Sequence, residues 1–172
     1  IFPLYKKSID VILKLQKIKP VNKIKIKSKQ NLTLGTYNLR CLNKESDLFL
    51  DWYLPGILGQ KKSKKFKSKI KKELNKLYKK IYYKNNFFVH RDFHVSNIMP
   101  TKNKLGIIDT QDTILGNPMY DVASLIDDVR IRIKLSIKNK IFLYYLKKCS
   151  FRDKQIHFLK NDFDILSIQR NL

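Results

Sequence analysis

Acidic residues are scarce in this chain. Fourteen Asp and Glu stand against 37 Lys and Arg, a formal charge of +23. So basic a surface repels polycationic ligands at long range and invites nucleic acid or a membrane surface. Yet the lysines are dispersed, as in "KKSKKFKSKIKKELNKLYKK". They lack the aromatic and glycine pattern of an RNA-binding sheet and the spacing of a zinc finger. A compositional bias spread over solvated faces is the better reading, and nucleic acid is not an expected partner. Cysteine is rarer still. Cys41 and Cys149 have no metal-ligand spacing and suggest free thiols in a reducing compartment. Five Gly and five Pro are too few for a loop-rich all-β fold. Apolar runs such as "IFLYYL" at 141–146 are far too short to span a bilayer. The opening "IFPLYKKSID" lacks the parts of a signal peptide, so a cytoplasmic chain is expected. It also lacks an initial Met, which suggests a fragment.

What is present suffices for one domain. The chain has 172 residues, 43% hydrophobic and 12% aromatic, enough to bury a core. Apolar spacing predicts a helix over 3–19, stopped by Pro20. A second is expected over 45–59, begun by the acids of "ESD" and kinked or ended by Pro55. A third, over 62–84, would bury a stripe of Phe66, Ile70, Leu74, Leu77, Ile81 and Tyr82. Further helices are expected over 119–134, with Val129 on the apolar side, and over 137–148 and 153–169. Residues 21–43 suit a strand or an extended loop. "FFVH" and "LGII" read as short buried strands, and "GNP" at 116–118 as a loop. Trp52 and Tyr53 are expected in the core. The fold class is therefore α+β, mostly helical, with one small hairpin in the middle.

One window departs from the basic background. Between residues 92 and 128 six Asp stand against two Lys. Carboxylates gathered at strand ends suit a hard divalent cation. Mg²⁺ takes few protein ligands and completes its octahedron with water and phosphate oxygens. The spacing is more specific. "HRDFHVSN" is His-x-Asp, four residues, then Asn, and Asp109 follows Asp92 by 17 residues after an apolar run. That is the order of the catalytic loop and metal-binding aspartate of kinases. Phosphoryl transfer needs positioning and charge neutralisation more than covalent work. One Asp orients the acceptor hydroxyl and takes its proton late. An Asn oxygen holds a metal without adding charge, and a second Asp joins metal to phosphate. His90 and His94 do not make a metalloprotease zinc motif, because Arg91 stands where Glu is required. Asp127 and Asp128 fit a solvated helix face or a substrate contact.

The stretches "FVHRDFHVSNIM" and "LGIIDTQDTILGNPMYDVASLIDD" resemble the aminoglycoside phosphotransferase and choline kinase-like superfamily, relatives of protein kinases. They look most like its bacterial branch that phosphorylates the anomeric hydroxyl of N-acetylmuramate or N-acetylglucosamine in cell-wall recycling. "DLFLDWYLP" at 47–55, "IDTQD" and the closing "QRNL" fit that branch. The resemblance is clear over residues 44–130. It implies ATP as phosphoryl donor, Mg²⁺ as cofactor, Asp92 as catalytic base, and Asn97 and Asp109 as metal ligands. His90 would brace the catalytic loop, and Asp121 would support it from the following helix. Asp112, Arg91 and His94 would serve the substrate or the surroundings of the metal.

The same resemblance marks what is missing. No stretch matches a Gly-rich phosphate-covering loop, a strand Lys or its partner Glu, and "LTLG" at 32–35 is no substitute. Residues 1–172 are therefore expected to be a single C-terminal lobe of a protein-kinase-like fold, its hairpin carrying the catalytic loop. An N-terminal lobe with most nucleotide contacts would precede it, and its own C-terminus would be cut short. Such a fragment would turn over little alone. The expected acceptor is a small hydroxylated metabolite, an amino sugar. Choline is kept open by 9 Tyr and 10 Phe, which could form an aromatic cage. A basic nucleic-acid-binding module and a non-catalytic kinase-like scaffold are the alternatives.

Overall fold

Pro3 sits in the first turn of the first helix, where a missing N–H is not needed. This helix, α1, runs Phe2–Gln16. The computed structural model describes residues 1–20, 23–25, 31–102 and 104–172. Ile9 and Ile12 of α1 are buried against α6 (Leu135–Lys148), whose Ile141 and Tyr145 are equally buried. Strands β1 (Lys23–Lys25) and β2 (Asn31–Thr33) pair antiparallel. The remainder of "VNKIKIK" lies outside the described residues.

Helix α2 (Leu39–Leu48) starts inside the segment expected to be extended, because Asn38 caps it. The Asn38 Oδ1 accepts the N–H groups of Arg40 and Cys41 at 3.0 and 3.2 Å. Pro55 does not end the helical run. A π-helical turn, Phe49–Tyr53, precedes α3 (Leu54–Leu58), and the Leu54 N–H reaches back to the Phe49 carbonyl. Pro55 thereby falls in a new first turn, and Gly59, at φ 76°, ends the run. The wide turn also resets the apolar face. Leu50 and Leu54 are buried, while Trp52 and Tyr53 are 78% and 60% exposed, against the expectation of core packing.

Helix α4 (Gln60–Tyr78) packs on α2 and α3. It stops short of residue 84, and Phe66 stays outside the core. The N–H groups of Tyr82 and Tyr83 bond instead to the buried Asp162 carboxylate, at 2.8 and 2.9 Å. That captures the chain on a non-helical path. Asp162 belongs to α7 (Ile156–Arg170).

Two ladders replace the single hairpin expected. Strand β3 (Phe87–Val89) pairs antiparallel with β6 (Ile114–Gly116). Between them in sequence, β4 (Ile98–Pro100) and β5 (Leu105–Ile107) form a tight hairpin. Gly116 ends β6 rather than opening a loop. A Cβ there would lie 2.5 Å from Val89 Cγ2, so the pairing requires glycine. Helix α5 (Tyr120–Ile126) is buried along its whole length and packs on α7 and α6. It ends well before residue 134, and Val129 is 71% exposed. The Asp128 side chain takes the Arg130 N–H at 3.0 Å, a local bond that favours a turn over a further helical turn. The result is a mostly helical fold with small antiparallel sheets. Among the described residues no helix is long and apolar enough to cross a membrane.

Candidate active site

Strand β3 delivers the chain to His90 and Arg91, where a buried carboxylate receives it. Asp121, in the first turn of α5, accepts the His90 N–H at 2.8 Å on one oxygen and the Arg91 N–H at 3.1 Å on the other. Burial pushes the Asp121 carboxyl up to about 6, and the two N–H donors oppose that rise. Arg91 adopts a left-handed backbone, φ 73°. For a residue with a side chain this costs about 1 kcal/mol or more, so surrounding contacts must enforce it. Three do. Asp121 holds the Arg91 N–H, Arg170 Nη1 donates to its carbonyl at 2.9 Å, and its own Nη2 donates to Glu45 Oε1 at 2.9 Å.

Beyond this kink the loop closes on itself. The Asp92 carbonyl accepts the His94 N–H and the Asn97 Nδ2–H, both at 3.0 Å. Phe93 is buried between them in sequence and anchors the loop in the core. The loop is then tied to the end of β5. The His90 Nε2–H donates to the Ile108 carbonyl at 3.0 Å, and the Ile108 N–H donates to the Asn97 carbonyl at 3.1 Å. Asp109 follows directly, itself left-handed at φ 64°. Asp112 lies beyond it in an exposed turn closed by Thr113 Oγ1 on the Thr110 carbonyl. His90, Arg91, Asp92, Asn97 and Asp121 thus share one bonded unit, and Asp109 adjoins it through Ile108.

The acids divide by partner. Seven others each carry a Lys or Arg partner. Among the described residues, no side chain or N–H donor bonds to the carboxylates of Asp92, Asp109 or Asp112, nor to those of Asp153 and Asp164, which lie on other elements. The Asn97 amide nitrogen is engaged by Asp92, which leaves its Oδ1 as a neutral oxygen donor. These hard oxygen donors fit Mg²⁺, which needs few protein ligands. Among the described residues no three His, Cys, Asp or Glu side chains converge on a common metal position. The His94 Nε2 faces Arg130 Nη1 at 3.3 Å, and burial and the Arg130 charge lower its pKa.

Asp92 lines a cavity of about 160 Å³ with Asp127, Asp128, Arg130, Arg170 and Asn171. Arg130 grips Asp128 through Nε at 2.8 Å and Nη2 at 3.0 Å. Burial alone would raise the Asp128 carboxyl, but the guanidinium outweighs it and holds the group below the usual range. Asp127 pairs with Lys138 at 2.5 Å. Neither acid lies on a solvated helix face; both line the cavity.

Glu45, Gln169, Arg170 and Asn171 were not among the site residues expected from the sequence. Glu45 gathers three donors: the Tyr37 hydroxyl, Arg91 Nη2 and Gln169 Nε2. Burial, then the neighbouring Tyr120 and Glu45, push the Tyr37 hydroxyl upward, so it remains a neutral donor. The one signal for the others was the closing "QRNL", which puts three consecutive polar residues at a helix end.

Comparison with known proteins shows what the chain is similar to. A model described as "Phosphotransferase enzyme family" matches residues 34–147. The chain is 25% identical to the N-acetylmuramate/N-acetylglucosamine kinase of Pseudomonas aeruginosa, over 98% of this chain and 48% of that protein. It is 27% identical to the protein of that name from Neisseria meningitidis serogroup B, over 71% of this chain and 36% of the relative. For the Pseudomonas putida protein of that name the values are 26%, 73% and 34%. The chain thus spans half or less of the length of these relatives.

Proposed function

The chain belongs to the phosphotransferase enzyme family, and from that membership we propose that it is the C-terminal lobe of an ATP- and Mg²⁺-dependent small-molecule kinase. The acceptor is a hydroxyl group of an amino sugar, the class named in its relatives. Residues 1–172 form one lobe, most nucleotide contacts come from an N-terminal lobe outside it, and use of ATP calls for a cytoplasmic location.

The observation that carries this reading is the pair of bonds joining the loop to the strand end, His90 to Ile108 and Ile108 to Asn97. Through them Asp92, Asn97 and Asp109 belong to two adjoining segments of fixed spacing. Asp92, open to the cavity and without a basic partner among the described residues, orients the acceptor hydroxyl and accepts its proton. Asn97 Oδ1 and the Asp109 carboxylate would hold Mg²⁺, which when bound neutralises charge on the phosphates. His90 and Asp121 fix the loop. Arg91 supports it through Glu45, and His94 lines the cavity. Asp112 stands near the metal side.

The test is transfer from ATP to N-acetylglucosamine or N-acetylmuramate by the full-length protein. Asp92→Asn should lower kcat by about a hundred- to ten-thousandfold. Asp109→Asn should shift the Mg²⁺ dependence to higher concentration. Undiminished turnover in Asp92→Asn would remove Asp92 as the base, and no transfer by the full-length wild type would remove the proposal.

A further inference from the structure

Beside the Asp92 cavity lies a second cleft of about 430 Å³, lined by Glu45, Phe49, Trp52, Tyr53, Gln169 and Arg170. Arg170 lines both spaces, so the two adjoin across one side chain. That side chain is fixed, with Nη1 donating to the Arg91 carbonyl at 2.9 Å and to the Tyr120 hydroxyl at 2.7 Å.

Two independent features give this cleft the character of a binding site. The first is aromatic. Trp52 and Tyr53 leave most of their area in water, and Phe49 stacks on Tyr53 with centroids 5.5 Å apart. The second is polar. Gln169 is only 5% exposed, yet its Oε1 has no partner among the described residues. Its Nε2 is engaged by Glu45 Oε2 at 2.8 Å, which fixes the amide and leaves Oε1 as a buried, unpaired acceptor. A buried acceptor of this kind calls for a hydroxyl or amide N–H.

An aromatic face beside fixed polar groups suits a pyranose. One face of the ring is a patch of C–H groups that gains by leaving water against an indole. Its edge carries hydroxyls and, in an N-acetylated sugar, an amide N–H. We propose that this cleft is a pyranose subsite, with Trp52 as the stacking surface and Gln169 as the hydrogen-bond acceptor. It holds the acceptor on the Trp52 side of Arg170, with the reacting hydroxyl toward Asp92. The assignment rests on the kinase reading for its ligand class.

Trp52 is the sole tryptophan of the chain, so its emission reports on the cleft alone. Titration of the 172-residue chain with N-acetylglucosamine, without ATP or Mg²⁺, should change that emission saturably. Sorbitol, an open-chain polyol with no ring face, should not. By calorimetry Trp52→Ala should bind the sugar about tenfold more weakly, and Trp52→Phe should recover most of the loss. The exposed position of Trp52 keeps both variants folded. A silent Trp52, an equal response to sorbitol, or unchanged affinity in Trp52→Ala would overturn the subsite. Phosphoryl transfer separates the two proposals. Turnover with a silent Trp52 overturns the subsite alone, and Trp52-dependent sugar binding with no phosphoryl transfer from ATP by the full-length protein overturns the kinase assignment alone.

Discussion

The His90 ring donates to the Ile108 carbonyl across 3.0 Å, joining the two segments that carry Asp92 and Asp109. His90 is buried and its Nδ1 has no partner among the described residues, so this one bond defines its polar role. His90→Ala should destabilise the chain by about 1–3 kcal/mol, because it opens space and leaves a carbonyl unpaired. In the full-length protein it should also raise the Mg²⁺ concentration needed for half-maximal transfer, since Asp109 follows Ile108 directly. His90→Gln, which can still donate, should recover part of both. Denaturant titration and Mg²⁺-dependent kinetics measure the two effects.

Asp121 should give opposite pH dependences to stability and to loop order. Its carboxyl is raised to about 6 by burial, from an ordinary value of 3.8. Between those values the folded chain binds more protons at this residue than the unfolded chain does. Its contribution to stability is thus fully present below the lower value and is lost as pH rises through the upper one. Relative to Asp121→Asn, the wild type should lose about 2–3 kcal/mol between pH 4 and 7. The ionised form is nevertheless the one that accepts both N–H groups. Exchange of the Arg91 amide hydrogen should therefore slow as pH passes 6, after correction for the intrinsic rate. Denaturation and amide exchange across this range check both directions.

Gly116→Ala tests the β3–β6 ladder. The added methyl would meet Val89 Cγ2 at 2.5 Å, and Val89 is buried and β-branched, with few rotamers to yield. A loss of about 1–3 kcal/mol is expected. Combining it with Val89→Ala should cost less than the sum of the two single changes, because the second removes the clash made by the first. Chemical denaturation of the four proteins gives the coupling.

The helices and the polar loop were legible because they rest on local signals. Pro3, the apolar spacing of α1 and the "HRDFHVSN" order all act within a few residues. What escaped depends in part on distant partners and in part on local bonds, such as the Asn38 cap of α2 and the Asp128 bond that ends α5. Helix α4 ends where it does because Asp162, 80 residues beyond Tyr82, takes the next N–H group. Trp52 faces water because a π turn shifts the helical face, and no residue type announces such a turn. Glu45 read as a helix-start acid, although its partners Arg91 and Gln169 come from other elements. The second ladder was missed because β6 runs directly into "GNP", which reads as a loop.

The grip on Arg91 has a temporal side. Its three holders sit at positions 45, 121 and 170, so they leave the ribosome in that order, the last almost at the end of these 172 residues. During synthesis the loop can be made long before its shape is fully enforced. A nascent chain halted before Arg170 would carry Asp92, Asn97 and Asp109 and still lack the bond that holds the Arg91 carbonyl.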